Sequence, residues 1–324
     1  MTTFRKNLPQ LSGELFLHDG GFETDLIFNH GIDIPEFAAH TLLPNPDTRV
    51  KVVTYFQQFL ELAAKNDVGF ILDAPTWKAH NHWKSDLGCT EKDLELANHD
   101  AVKLVQELRD GTDSKRPIVL NGITGPCGDA YAPENLITVD DAQKYHSTQI
   151  GWLADTQADM VSALTFTQST EAAGYAKAAA EIDIPCVISF TVETDGNLPT
   201  GQTLKDAVRF VDEVSNGYPA YFMINCAHPD HFITVLEDAE WSRRICGLRC
   251  NASRQSHDEL DACEVLDDGN PQELGRQYKD LLTLMPWLNV FGGCCGSDIR
   301  HVREIAKAVI GHPDRSSIKK DICA

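Results

Sequence analysis

Short apolar runs alternate with longer amphipathic stretches along the whole of this 324-residue chain, and the alternation repeats eight times. The runs lie at 15–19, 68–73, 117–122, 159–164, 185–190, 220–225, 244–250 and 287–292. Helix-like segments fall near 47–66, 91–110, 140–156, 169–181, 203–215, 229–240, 271–285 and 298–311. A period near 3.6 places Val50, Val53, Phe56, Phe59, Leu60 and Ala63 on one face of the first long segment. Strands separated by crossover helices imply a parallel sheet. Eight such units predict an α/β chain closed into a (β/α)8 TIM barrel, a single domain over residues 1–324. The alternative is an open doubly wound sheet. That fold normally carries a glycine-rich first turn, and neither G-x-G-x-x-G nor G-x-x-x-x-G-K occurs here.

Charge narrows the partners. Asp and Glu number 48 against 28 Lys and Arg, a formal charge of -20. Such a surface repels nucleic acid and anionic membranes, so neither is an expected partner. No apolar run approaches the roughly 20 residues of a membrane span. The opening Met1-Thr2-Thr3-Phe4-Arg5-Lys6 leads into Asn7, Pro9 and Gln10 instead of an apolar signal core, which points to a cytoplasmic location. Ten cysteines in such a chain favour free thiols and metal ligands over a disulfide framework.

The strand ends carry the chemistry, because barrel active sites form at the C-terminal face. The last strand ends in Phe291-Gly292-Gly293-Cys294-Cys295-Gly296, and the sixth ends in Ile224-Asn225-Cys226. Adjacent cysteines make a poor disulfide but a good pair of thiolate ligands. With Cys226 from two strands away, they can hold a Zn2+ ion by three sulfurs and leave its fourth position open, the pattern of catalytic zinc. Gly292, Gly293 and Gly296 give the loop backbone freedom to turn both side chains toward one ion.

These pieces, together with Leu17-His18-Asp19-Gly20-Gly21 at strand one and Asn121-Gly122-Ile123-Thr124-Gly125-Pro126 after strand three, resemble the homocysteine S-methyltransferase family. The likeness runs from the first strand to the last. It implies that Cys226, Cys294 and Cys295 are the metal ligands, with Asp19, Gly20 and Gly21 lining the substrate end of strand one. Asn225 stands beside the metal loop as a further substrate-side candidate. The implied reaction moves a methyl group from an activated donor to a small-molecule thiol acceptor, homocysteine giving methionine. A free thiol has a pKa of about 8.5, and coordination to zinc deprotonates it outright, which supplies the nucleophile.

The chain departs from the family after strand four. Many members carry there a glutamate that binds the amino group of homocysteine; the matching residue is Leu164. Asp73 at the end of strand two and Glu193 after strand five are candidates to replace it. Trp77 is placed to stack on a cationic methyl donor. Cys246 and Cys250, four apart, are expected on one side of strand seven as core residues. His228, His231 and His257 lack metal spacing and read as loop or helix-surface residues.

Alternatives remain on the same site. The acceptor is another small thiol or a selenol, the transfer runs as a demethylation, or the chain binds thiol or metal without turnover. The methyl donor is open. The chain lacks a D-x-H-x-x-G cobalamin segment, which leaves a corrinoid partner on another polypeptide as an option.

Overall fold

The computed structural model describes residues 2–131 and 136–312. Eight strands form a closed, all-parallel barrel in sequence order. They are β1 (Phe16–Leu17), β2 (Gly69–Ala74), β3 (Ile118–Thr124), β4 (Met160–Phe166), β5 (Cys186–Phe190), β6 (Tyr221–Asn225), β7 (Ile245–Cys250) and β8 (Val290–Gly293). β1 closes the ring by pairing with both β2 and β8.

The major crossover helices are α1 (Pro46–Lys65), α2 (Glu91–Gly111), α3 (Val139–Ala154), α4 (Ser169–Ile182), α5 (Leu204–Ser215), α6 (Pro271–Leu284) and α7 (Ile299–Ile310). Asn45, Thr90, Thr138, Thr203, Asn270 and Asp298 begin six of them, each accepting a backbone N–H with its side chain. On α1 the buried stripe is Val52, Tyr55, Phe56, Phe59, Leu60 and Ala63. Val50 is 61% exposed and Val53 only half-buried, so the expected face is rotated toward Val52 and Tyr55.

The continuous helix expected at 229–240 is instead broken into Pro229–Phe232, a 3-10 turn Ile233–Val235 and Glu240–Arg243. The Ser242 hydroxyl explains part of the break. It accepts from the Ala239 amide and donates to the Glu237 and Ala239 carbonyls, offering the backbone an alternative to helical bonds.

Inward positions at a spacing of two define layers in the barrel. The lower layer is apolar: Phe16, Ile71, Val119, Met160, Val187, Met223 and Val290 pack together. The N-terminal segment seals it from below through Leu8, with Phe4 and Leu11 packed alongside. Two residues further along the strands the layer becomes polar. Asn121 donates to Asp73 at 2.7 Å, Ser162 donates to Asn121 at 2.9 Å, and Ser189 donates to Asn225 at 2.6 Å. The upper layer is the floor of the site.

Cys246 and Cys250 do not share a face. Cys246 joins the barrel-interior cluster and Cys250 the cluster between barrel and helices. A register shift places Ile245 opposite Phe222 but Gly247 opposite Met223, so one extra residue reverses the alternation.

Candidate metal centre and substrate cavity

The Asp-Gly-Gly turn after β1 and the Cys-Cys loop after β8 meet backbone to backbone. A Cβ on Gly20 would stand 2.7 Å from the Ser297 carbonyl oxygen, and one on Gly21 2.5 Å from that of Cys294. Glycine is required there by close approach. The Gly21 amide donates to Ser297 O at 2.8 Å, and Thr24 Oγ1 accepts from the Gly296 amide at 3.1 Å. Within the metal loop only Gly296 has a left-handed φ, +77°. Gly292 and Gly293 are instead required by the side chains and backbone crowding against them, which corrects the expectation of conformational freedom at all three.

Cys226, Cys294 and Cys295 converge at the mouth, their sulfurs all within 4.8 Å of one another. Cys226 Sγ lies 3.6 Å from Cys295 Sγ. Tetrahedral sites with metal–sulfur bonds of about 2.3 Å hold sulfurs roughly 3.8 Å apart, so the donor set fits such an ion. Cys226 itself adopts a left-handed φ of +56°, a conformation a cysteine takes only when its surroundings impose it. Hydrogen bonds from Cys294, Cys295 and Tyr131 hold the Cys226 thiol well below the usual thiol range, against burial. The bond to Cys226 pushes Cys294 up to about 12, and bonds to Cys226 and Cys294 push Cys295 well above the usual thiol range. Three thiolates here need a cation to coexist.

Tyr131 donates to Cys226 Sγ at 3.2 Å, and its ring stacks on His257 at 4.4 Å between centroids. Asn225 accepts from the Thr165 amide at 2.9 Å, donates to Thr165 Oγ1 at 2.8 Å and approaches Cys294 Sγ at 3.9 Å. It thereby clamps Thr165, which has a φ of +64° inside a bulge of β4. The neighbouring Leu164 lines the cavity, and Trp77 Nε1 donates to the Leu164 carbonyl at 3.1 Å.

Beneath the cysteines lies a charge network centred on Arg249, a residue the sequence reading passed over. Its guanidinium donates to Asp19 Oδ1 at 2.5 Å, to Asp73 Oδ2, and through Nε to the Gly293 carbonyl at 3.1 Å. All three side chains are buried. Burial opposes ionisation of Asp73, but His18, 3.3 Å away, and Arg249 hold its carboxyl at about 2. Burial raises Asp19 to about 7 against the pull of Arg249. His18, Asp19 and Asp73 also group closely enough to ligate an ion. The guanidinium already occupies that position as the cation. The signal for Arg249 in the sequence is a lone charge inside an otherwise apolar strand.

The mouth opens into a cavity of about 540 Å³. Asp19, Gly20, Gly21, Asp73 and Asn225 line it with the three cysteines, as does Trp77. Glu193 does not belong to its wall. Asp73 is committed to Arg249 and Asn121, so neither proposed replacement for the strand-four carboxylate stands free in the cavity. The three histidines read as surface residues are buried instead. His228 accepts from the Asp230 amide, His231 pairs with the Arg254 carbonyl, and His257 joins the cavity wall. All nine cysteines among the described residues are free. No helix among these residues is long and apolar enough to cross a membrane.

The closed parallel barrel thus gathers three thiols at its C-terminal face, where barrel enzymes carry their active sites. Residues 16–309 match the family model for homocysteine S-methyltransferase, and the chain belongs to that family; it is a methyltransferase. It is 24% identical to homocysteine S-methyltransferase 3 of Arabidopsis thaliana over 93% of this chain and 92% of that protein. It is likewise 24% identical to selenocysteine Se-methyltransferase of Brassica oleracea var. italica, over 94% and 92%. Its fold matches the homocysteine methyltransferase MmuM from Escherichia coli in the metallated form, with a TM-score of 0.67 and 17% identity over 93% of this chain and 98% of that one.

Proposed function

We propose that this protein is a zinc-dependent methyltransferase that moves a methyl group from an activated small-molecule donor to the sulfur of homocysteine, giving methionine. The observation that carries the reading is the convergence of Cys226, Cys294 and Cys295 on one open cavity. These three residues would hold the zinc. When bound, zinc supplies Lewis acidity that favours the thiolate form of an acceptor sulfur.

The chain's own residues do the rest. Tyr131 and Asn225 offer hydrogen bonds to the ligand sulfurs and orient them. Arg249 holds Asp19 and the Gly20 carbonyl in place beside the cysteine loop. Phe22, Phe56 and Leu164 give the cavity an apolar wall that limits water around the reacting sulfur. Trp77 offers an aromatic face to a cationic donor. The S–CH3 bond forms as the donor's bond to methyl breaks, and a cationic donor leaves neutral. Partners are thus two small molecules, and the free thiols suit a reducing, cytoplasmic compartment.

The test is to load the protein with zinc, verify one ion per chain, and assay methionine formation from homocysteine with S-methylmethionine, S-adenosylmethionine and betaine. Turnover with any donor is the expected result and names the donor. A zinc-replete protein that methylates selenocysteine but not homocysteine would favour the second reading, suggested by the Brassica relative. No turnover with either acceptor would sink both.

A further inference from the structure

Two oppositely charged side chains line the cavity without an ion-pair partner among the described residues. Glu23 lies in the helical turn Phe22–Thr24 that follows Gly20 and Gly21, and Lys78 follows Trp77 just beyond β2. Apart from the backbone amide of Glu23 itself, neither has a hydrogen-bond or ion-pair partner among the described residues. Lys78 Nζ rests over the Trp83 ring, 3.6 Å from its centroid. The two charges lie near enough to influence each other, yet form no ion pair.

The other charged groups of the wall are engaged. Arg249 holds Asp19 and Asp73, Asp129 accepts from the Tyr131 amide, and Asp267 accepts from Ser253. Burial, with Cys294 nearby, raises the Glu23 carboxyl to about 7, and burial lowers Lys78. A half-buried carboxylate and ammonium that line one cavity without pairing can each take a group of opposite charge, and together they suit a ligand that carries both. An α-amino acid, with ammonium and carboxylate on one carbon, has that polarity.

We propose that Glu23 and Lys78 recognise the amino-acid end of the acceptor, Glu23 taking its ammonium and Lys78 its carboxylate. The proposal rests on the thiol-transfer reading and assigns the residues that would hold the amino-acid end of its acceptor. Glu23 comes from the β1 loop and supplies the carboxylate that Leu164 does not. The glycine turn that carries it packs on the Cys294 carbonyl, which sets the charge close to the sulfur site.

The test uses zinc-loaded protein and three thiols of one chain length: homocysteine, 4-mercaptobutanoate without the amino group, and 3-mercaptopropylamine without the carboxylate. Dissociation constants are measured by calorimetry. The wild type should prefer homocysteine over each truncated thiol by about 10- to 100-fold, the range for losing a charge-assisted hydrogen bond. Glu23→Gln should lose the preference over 4-mercaptobutanoate and keep that over 3-mercaptopropylamine. Lys78→Met should do the reverse, and both variants should keep full zinc content. Glu23→Ala serves as a second variant should Glu23→Gln fold poorly. Equal wild-type affinity for the three thiols, or folded variants that retain both preferences, overturns the assignment while leaving thiol transfer intact. Failure of the zinc-loaded wild type to bind any of the three overturns both.

Discussion

Arg249 at the end of β7 donates to Asp19 just beyond β1 at 2.5 Å, joining strands seven and one beneath the three convergent cysteines. Its second arm holds Asp73 at the end of β2, so one buried cation serves two buried carboxylates. Removing one partner of a buried ion pair leaves the other uncompensated and costs about 3–5 kcal/mol. Arg249→Met is therefore expected to lower stability by that amount in urea titration. An unchanged midpoint would show that the carboxylates do not depend on it.

Asp73 makes stability depend on acid. Its folded pKa of about 2 lies below the ordinary 3.8. The unfolded chain thus takes up this proton first as pH falls, so the contribution of Asp73 is complete above about pH 4 and disappears through about pH 2. The stability gap between wild type and Asp73→Asn should be widest above pH 4 and shrink on acidification. Denaturation midpoints measured from pH 2 to 6 check this, and a gap that grows toward low pH would contradict it.

Metal affinity should follow the distance of each residue from the ion. Tyr131→Phe removes only a hydrogen bond to Cys226 and is expected to weaken zinc binding about 10- to 100-fold. Cys226→Ser, Cys294→Ser and Cys295→Ser should each cost more, whereas Cys250→Ala, buried in the apolar layer outside the barrel, should leave affinity unchanged. Chelator competition ranks the variants. Chelation in air should also lower the titratable thiol count, because the uncovered sulfurs lie within 4.8 Å of one another.

Gly21→Ala tests the contact between the two loops. Its methyl group would meet the Cys294 carbonyl oxygen at 2.5 Å, so the cysteine loop must shift. Overpacking of this kind costs about 1–3 kcal/mol. Weaker zinc binding should accompany the loss of stability. Wild-type zinc affinity in the variant would show that the loops move independently.

The architecture was readable because local signals repeat. Each strand is a short apolar run, six major helices begin at a capping side chain, and eight repeats leave a closed barrel as the natural solution. The three cysteines were readable because each directly follows or closes a strand, and barrel topology gathers strand ends. The segment at 229–240 was misread as one helix because apolar periodicity does not register the Ser242 hydroxyl that bonds the backbone locally.

The sequence by itself determined the alternation of elements, the place of three cysteines at strand ends and the absence of a carboxylate at Leu164. Only the tertiary structure decided which charges are spent and which are free. Asp73 looked available until Arg249, 176 positions away, was found bonded to it. Glu23, which no motif in the sequence singles out, is set by the fold against the cavity without an ion-pair partner among the described residues. The same holds for Cys246 and Cys250, separated by a one-residue register shift. The physical reason is common to all three. Periodicity and capping act over a few residues, whereas charge pairing, burial and sheet register depend on groups brought together from distant strands.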